Sequence, residues 1–179
     1  MSSATGNEGL AAKFVSAFSI LAPIPVDHLE SGLLVASKKD YVSYGSDKWE
    51  VFQDADAKRG EKSVLVLIYP SLEYGVPKPP YEVSWGALYI GHTGDPDEKM
   101  CDFLEGYRPE STHSCSGDLP WNWGLFWRIQ DLQPLPLEHR IKILGLPIYG
   151  SPGKKLSAWP RGPELVSTPD WAKAHTACD

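Results

Sequence analysis

The sequence predicts an α+β fold, in which a small mixed or antiparallel β-sheet, or a partly open barrel, carries an N-terminal helix and an inserted helix. The run Ser63–Tyr69 is continuously apolar and rich in β-branched residues, which is typical of a central strand covered on both faces. The segments Tyr81–Thr93 and Trp121–Leu132 alternate between two sets of side chains, as half-buried strands do. Helical spacing in Glu8–Leu21 and Asp95–Gly106 indicates the two helices.

Local signals support both helices. Pro23 and Pro25 follow the N-terminal helix, and proline cannot continue a helix. The inserted helix has a capping signal, because Asp95 is a candidate N-cap and Glu98 follows three residues later. The apolar residues that recur every three or four positions in the N-terminal helix are Leu10, Phe14, Ala17, Phe18 and Leu21.

The segments between these elements are expected to be short or irregular. Asp27 can cap a turn through His28–Ser31, and Leu33–Ala36 has the composition of a short strand. Gly45 argues against a single long helix over the aromatic-rich stretch that follows. The polar stretch Asp54–Lys62 predicts a loop.

The strand pattern of Tyr81–Thr93 contains two glycines, Gly86 and Gly91. They favour a β-bulge, or a point where a ligand approaches the backbone. Strict alternation places His92 on the face away from Tyr89. One expected face holds Tyr81, Val83, Trp85, Ala87, Tyr89 and Gly91, and the other holds Glu82, Ser84, Gly86, Leu88, Ile90 and His92.

Composition limits the class of protein. A length of 179 residues suits a single globular domain, residues 8–179, behind a disordered leader of residues 1–7. The formal net charge of −6 argues against a protein that depends on gripping nucleic-acid backbone, but it is compatible with recognition of one base. Three cysteines without a framework spacing favour a reducing compartment. With no signal-peptide or transmembrane pattern, we expect a cytoplasmic or nuclear protein without a membrane partner.

Aromatic side chains on two of the predicted strands suggest a ligand site. Alternate residues of adjacent strands meet across a sheet, so these rings can line one surface. Stacked aromatic rings can hold a planar or hydrophobic ligand. The alternative is that the rings form a core beneath the N-terminal helix. The rings in question are Trp85, Tyr89, Trp121, Trp123 and Trp127.

Titratable side chains surround the end of the Tyr81–Thr93 strand. His92, Asp95 and His113 are the candidate catalytic residues, since a histidine beside a carboxylate can transfer protons near neutral pH. Cys115 lies two residues after His113, and a thiolate nucleophile needs such a base. The alternative is a solvated loop. As metal ligands, His92, Cys101, His113 and Cys115 have a spacing that matches no zinc motif, so neither a metal nor a cofactor is predicted.

Arg128 and Glu82 complete the candidate ligand-binding residues. Arg128 lies in mid-strand beside Trp127, on the face opposite the tryptophan rings. Its guanidinium group can bind a carboxylate or a phosphate there. The alternative is a surface arginine that pairs with Asp131 or Glu82.

The order of the middle segments resembles that of small PUA-like barrels of the ASCH and EVE type. The matching pieces, within residues 49–136, are Lys58–Arg59–Gly60 before VLVLIY, then GALYIGHT, an inserted helix and NWGLFWRIQDLQPL. The usual opening aromatic–leucine strand of those families is not evident. The resemblance implies a barrel whose aromatic cage reads a modified base or a similar planar ligand, with Trp85, Trp121 and Trp123 at the matching positions.

Three hypotheses on function therefore stand side by side. The first is a non-enzymatic domain that binds a planar ligand, such as a modified nucleobase in nucleic acid. The second is a small metabolic enzyme of the cyclase, isomerase or hydrolase type, in which a histidine and an aspartate transfer protons in an aromatic pocket. The third is an interaction protein whose proline-rich loops, Val76–Pro80 and Pro134–Pro136, form partner surfaces.

Overall fold

A computed structural model describes residues 14–72, 76–93, 106–112 and 124–173, without the side chains of residues 14–16. Within these ranges, no helix is long and apolar enough to cross a membrane. The helices are α1 (Val26–Ala36), α2 (Trp49–Arg59) and α3 (Asp170–Lys173), with short 3-10 turns at Glu110–Thr112 and Leu137–His139. The strands are β1 (Phe14–Pro25), β2 (Val42–Ser46), β3 (Ser63–Ser71), β4 (Glu82–Val83), β5 (Trp85–Thr93), β6 (Leu125–Pro134), β7 (Ile141–Lys142) and β8 (Glu164–Ser167).

Six of these strands form one mixed sheet, in the order β2-β6-β5-β3-β1-β8. β1 runs parallel to β3, and the other neighbouring strands are antiparallel. β2 and β8 lie at the edges, so the described strands form an open sheet that is not closed into a barrel. β4 and β7 pair separately. The predicted α+β class with a mixed sheet is therefore confirmed, in its open form.

The sheet separates two apolar cores. Alternate residues of β3 belong to different cores, so that Val64 lies in the first and Leu65 in the second. β3 is thus covered on both faces, as its continuous apolar run predicts. Helices α1 and α2 cover the first core, to which they contribute Leu29 and Phe52. The chain after β6 covers the second core, with Leu135, Ile143, Leu146, Leu156 and Ala172.

The segment predicted to be an N-terminal helix contains a strand instead. β1 begins at Phe14 and lies between β3 and β8. The side chains of residues 18–22 are at most 1% exposed, because a core covers each face of β1. In a strand buried on both faces, apolar and polar residues do not need to alternate. The apolar residues of β1 can therefore also match the spacing of a helix. Residues 8–13 and the predicted inserted helix lie outside the described residues, apart from Gly106, which is in a turn.

Two helices replace elements that the sequence predicts to be short or irregular. α1 includes Leu33–Ala36, which was expected to be a strand, and Asp27 lies in its first turn rather than capping it. α2 extends to Arg59, through residues expected to form a loop. Only Phe52 and Ala55 of α2 are buried. Most residues of this helix are therefore polar, and its sequence resembles that of a loop.

Close packing of α1 on the sheet depends on a residue without a side chain. A Cβ atom on Gly32 would lie 2.1 Å from the hydroxyl oxygen of Tyr44 and 3.2 Å from Cδ2 of Leu132. The Tyr44 hydroxyl donates a hydrogen bond of 3.1 Å to the carbonyl of His28, one turn earlier in α1. The space between α1 and the sheet at Gly32 is therefore too small for one additional methyl group.

We expect Gly32→Ala to lower the free energy of unfolding by about 1–2 kcal/mol, because overpacking outweighs the gain of about 1 kcal/mol in helix propensity. Adding Tyr44→Phe removes the clashing oxygen and should recover part of the loss. Urea unfolding followed by circular dichroism measures both effects. Leu34→Ala is the control, since Leu34 lies in the same helix and is 65% exposed. Equal stability of wild type and Gly32→Ala would contradict the close packing.

Candidate functional site

A β-bulge near the end of β5 decides on which face His92 lies. Tyr89 and Gly91 are two residues apart in β5, but they pair with neighbouring residues of β6, so Ile90 is an extra residue. The bulge that the glycines predict is thus present. It reverses the alternation, and His92 lies on the same face as Tyr89 instead of the opposite one.

His92 meets a carboxylate from α2 on this face. Nδ1 of His92 lies 2.7 Å from Oδ2 of Asp56. The hydroxyl oxygen of Tyr89 lies 3.1 Å from each of these two atoms. The imidazole is 20% exposed and the carboxylate is 29% exposed, so the contact is partly shielded from water. These three residues are called the Asp56–Tyr89–His92 cluster.

The hydrogen bonds determine where the protons of this cluster lie. A carboxylate only accepts hydrogen bonds, so Nδ1 of His92 carries a proton and Nε2 of the neutral ring keeps its lone pair. Burial, and after it the charge of Asp56, raises the pKa of the Tyr89 hydroxyl far above 10, although Arg59 and Arg128 oppose the shift. Tyr89 therefore stays protonated and donates to Asp56. Nε2 of His92 is the proton acceptor of the cluster.

Arg59, the last residue of α2, ties the cluster to the bulge. Its Nε donates to Oδ1 of Asp56, and its Nη1 donates to the carbonyl of Lys62 at 2.8 Å. Its Nη2 donates to the carbonyl of Ile90 at 3.2 Å. The guanidinium group also lies over the ring of Tyr89, 5.5 Å from the centroid. Asp56 and Arg59 together hold the last turn of α2 against β5.

A second guanidinium group approaches Gly91 from β6. Gly91 has a φ of +132°, a backbone angle that residues with a side chain rarely adopt. A Cβ atom at this position would lie 3.1 Å from Nη2 of Arg128 and 3.2 Å from Nη2 of Arg59. The Arg128 guanidinium also lies 5.7 Å from the ring centroid of Tyr41. Positive charge is therefore concentrated one residue before His92, in a chain that is acidic overall.

Two of the five aromatic residues predicted to bind a ligand lie in the first core. Trp127 is 2% exposed and Tyr89 is fully buried. The ring of Phe52 lies 5.2 Å from that of Trp127 and 5.5 Å from that of Tyr89. Tyr89 and Trp127 therefore occupy core positions, as the alternative interpretation of the aromatic residues predicted. Trp85 is partly buried against the same core, and Trp121 and Trp123 lie outside the described residues.

The other predicted site residues lie apart from the cluster or outside the described ranges. Glu82 is in β4, which pairs with β7. Trp85 and His92 stand at opposite ends of β5, and an extended strand of that length spans roughly 20 Å. One small ligand therefore cannot touch both. Asp95 and His113 fall outside the described residues. Among the described histidines, cysteines and acidic residues, no group of three could hold a metal ion.

Sequence reasoning overlooks Asp56 and Arg59 because it assigns both to a loop. The available signal is their spacing of three residues, which places an acid and a base on the same side of a helix. The aromatic residues Trp49 and Phe52 begin that helix and could have marked it. Among the described residues, the carboxylate that contacts His92 is that of Asp56, while Asp95, the carboxylate expected there, lies outside them.

No protein-family model, curated protein or solved structure significantly matches the chain. The resemblance to PUA-like domains therefore stays a prediction. The case for a function rests on the geometry of the described residues.

Stability should fall at alkaline pH, because burial raises the pKa of Tyr44, Tyr69 and Tyr89 above 10. Above that pH the unfolded chain releases these protons while the folded chain retains them. The stabilisation is therefore complete below pH 10 and declines as the pH rises above it. Tyr89→Phe should make this decline shallower, whereas Tyr81→Phe, at an exposed tyrosine, should not. Urea midpoints measured from about pH 8 to pH 11 give both slopes, and identical slopes in all variants would refute the role of Tyr89.

Proposed function

We propose that the chain is an enzyme in which His92 transfers protons and Asp56 orients it. The observation that carries this proposal is the 2.7 Å contact between Nδ1 of His92 and Oδ2 of Asp56. A carboxylate bonded to Nδ1 fixes the tautomer and the orientation of the ring, and it stabilises the imidazolium that forms when Nε2 accepts a proton. General acid–base catalysis by histidine uses such an arrangement.

The groups around the carboxylate support this role. Both oxygens of Asp56 accept hydrogen bonds, Oδ1 from Arg59 and Oδ2 from Tyr89 and His92, so the carboxylate has little freedom to rotate. Beneath the cluster, Phe52 packs against the ring of Tyr89 in the first core. Catalytic groups act best when packing and hydrogen bonds fix them in advance.

The proposed chemistry is proton transfer at a single histidine. Nε2 of His92 removes a proton from a substrate carbon or hydroxyl group, or from an attacking water molecule. The proton then returns to the product or to the leaving group. Removal of a proton leaves negative charge on the substrate, and the positive charges of Arg59 and Arg128 near Gly91 lower the electrostatic cost of that charge at a distance. Isomerisation, cyclisation and hydrolysis all fit this scheme.

The first measurement that tests the proposal is the tautomer of His92. Long-range ¹⁵N–¹H NMR spectra of the wild type should show the neutral ring with its proton on Nδ1. In Asp56→Asn, the side-chain amide can donate to Nδ1, so the proton should move to Nε2. A wild-type ring protonated on Nε2 would remove His92 as the base.

The second measurement is turnover. In a mass-spectrometric screen of esters, lactones and isomerisable carbonyl compounds, His92→Gln should lower kcat/KM by about 10²–10⁴-fold for any substrate found. Asp56→Asn should lower kcat/KM as well. The far-ultraviolet circular dichroism spectra should show that both variants remain folded. His139→Gln is the matched control, since His139 stacks on Trp171 away from the cluster. Wild-type turnover by His92→Gln would contradict the proposal.

Binding of a planar ligand is the second candidate function, and an exposed aromatic pair favours it. Tyr81 and Trp159 are 43% and 41% exposed, and their rings are stacked with centroids 5.1 Å apart and planes 17° apart. Trp159 is anchored next to Pro160, whose carbonyl accepts a hydrogen bond from the buried Tyr69. A nucleobase can extend such a stack. The PUA-like resemblance implies a ligand of this kind. It points, however, to Trp85, Trp121 and Trp123, and not to Tyr81 and Trp159.

Tryptophan fluorescence tests the second candidate. If the pair binds a planar ring, a panel of modified nucleosides should quench the emission of the wild type. Trp159→Ala should weaken that binding at least about fivefold, given the usual contribution of one base–aromatic stack. Trp49→Ala, at a tryptophan that is 47% exposed on α2, is the control. Equal binding by Trp159→Ala and the wild type would exclude this surface.

A further inference from the structure

Three polar side chains near the end of the sheet each have one buried atom without a hydrogen-bond partner among the described residues. They are the hydroxyl groups of Ser43 and Thr93 and the Nε of Arg128. Ser43 pairs with Arg128 between β2 and β6, and Arg128 pairs with Gly91 between β6 and β5. Thr93 lies two residues beyond Gly91. These three residues are called the Ser43–Thr93–Arg128 cluster.

The pairing places the three side chains on one face of three adjacent strands. Residues that pair across a sheet share a face, and so do alternate residues of one strand. His92 pairs with Trp127 and lies on the opposite face, towards the first core. The end of β5 therefore carries two groups of polar side chains, one on each face.

The chemistry of the cluster matches an oxyanion. Buried donors in folded proteins almost always meet a partner, which is a protein group, a water molecule or a ligand. The two hydroxyl groups can donate, and the Nε and Nη2 of an arginine form a fork that matches two oxygen atoms of one acid group. A positive charge flanked by hydroxyl groups is a suitable setting for phosphate or carboxylate oxygens.

The charges around Gly91 point the same way. Each guanidinium nitrogen of Arg59 already donates, to Asp56 or to a backbone carbonyl. For Arg128, no carboxylate in the described ranges lies within ion-pair distance. Because Nη2 of both arginines lies near the Cα of Gly91, an anion bound there reduces the repulsion between two positive charges.

We propose that the Ser43–Thr93–Arg128 cluster binds an oxyanion of the substrate, a phosphate or a carboxylate group, with Arg128 as its principal ligand. The assignment of the anion to a substrate rests on the proposed function. The binding itself does not require proton transfer by His92. An anion held beside Gly91 brings the substrate to the end of the strand that carries His92, and this selects for acidic substrates.

Titration with inorganic phosphate and with acetate tests this inference, by isothermal calorimetry and by competition between the two anions. We expect the wild type to bind at least one of them, and Arg128→Gln to weaken that binding about tenfold or more, as loss of a charged hydrogen bond does. Ser43→Ala and Thr93→Val should each weaken it less, and they keep the test valid if Arg128→Gln unfolds. Arg161→Gln, at an exposed arginine elsewhere, is the control and should bind as the wild type does.

The outcomes separate this inference from the proposed function. Phosphate binding that Arg128→Gln weakens identifies a phosphate site, and the same result with acetate alone identifies a carboxylate site. No binding of either anion, or equal binding by the wild type and all three cluster variants, overturns the inference. His92→Gln should bind the anion as the wild type does. If it does so and also retains full turnover, the anion site stands and the role of His92 as base fails.

Discussion

The carboxylate of Asp56 is the interaction on which the candidate site depends. It receives hydrogen bonds from its own helix, from the body of β5 and from the residue after the bulge, through Arg59, Tyr89 and His92. Helix α2 buries only two side chains, of which Phe52 is the larger, so apolar contacts alone define its position weakly. Hydrogen bonds to a charged group are roughly twice as strong as neutral ones. One carboxylate therefore docks the helix and orients the imidazole at the same time.

The fold could be predicted where burial and pattern agree. β3 was predictable because a strand between two cores must be apolar at every position, and β6 was predictable because Trp127 and Ile129 alternate into the first core. β1 obeys the same rule as β3 but was expected to be a helix. Its β-branched residues, Val15, Ile20 and Ile24, are spread over twelve positions among small and aromatic residues. A run buried on both faces also has no period of its own.

The candidate site could be predicted only in part. Contact between His92 and a carboxylate was one of two hypotheses, beside a solvated loop. The identity of the carboxylate depends on long-range packing that brings α2 to the end of β5. The expected faces also depended on strict alternation, which Ile90 interrupts. The glycines predicted the bulge, but a glycine does not identify which residue of the strand is the extra one. The position of the extra residue determines whether His92 lies on the same face of the sheet as Tyr89 or on the opposite face.

The bulge also connects the two groups of polar side chains. Without the extra residue, His92 would lie on the face of Arg128, and Thr93 would face the first core, where α2 packs. With it, the imidazole meets the carboxylate of Asp56, while Gly91 and Thr93 line the face that Arg128 occupies. The proposed base and the proposed anion-binding group then stand at one strand end but on different faces. A molecule that contacts both groups must extend from one face of the sheet to the other, which favours an extended acidic substrate over a compact one.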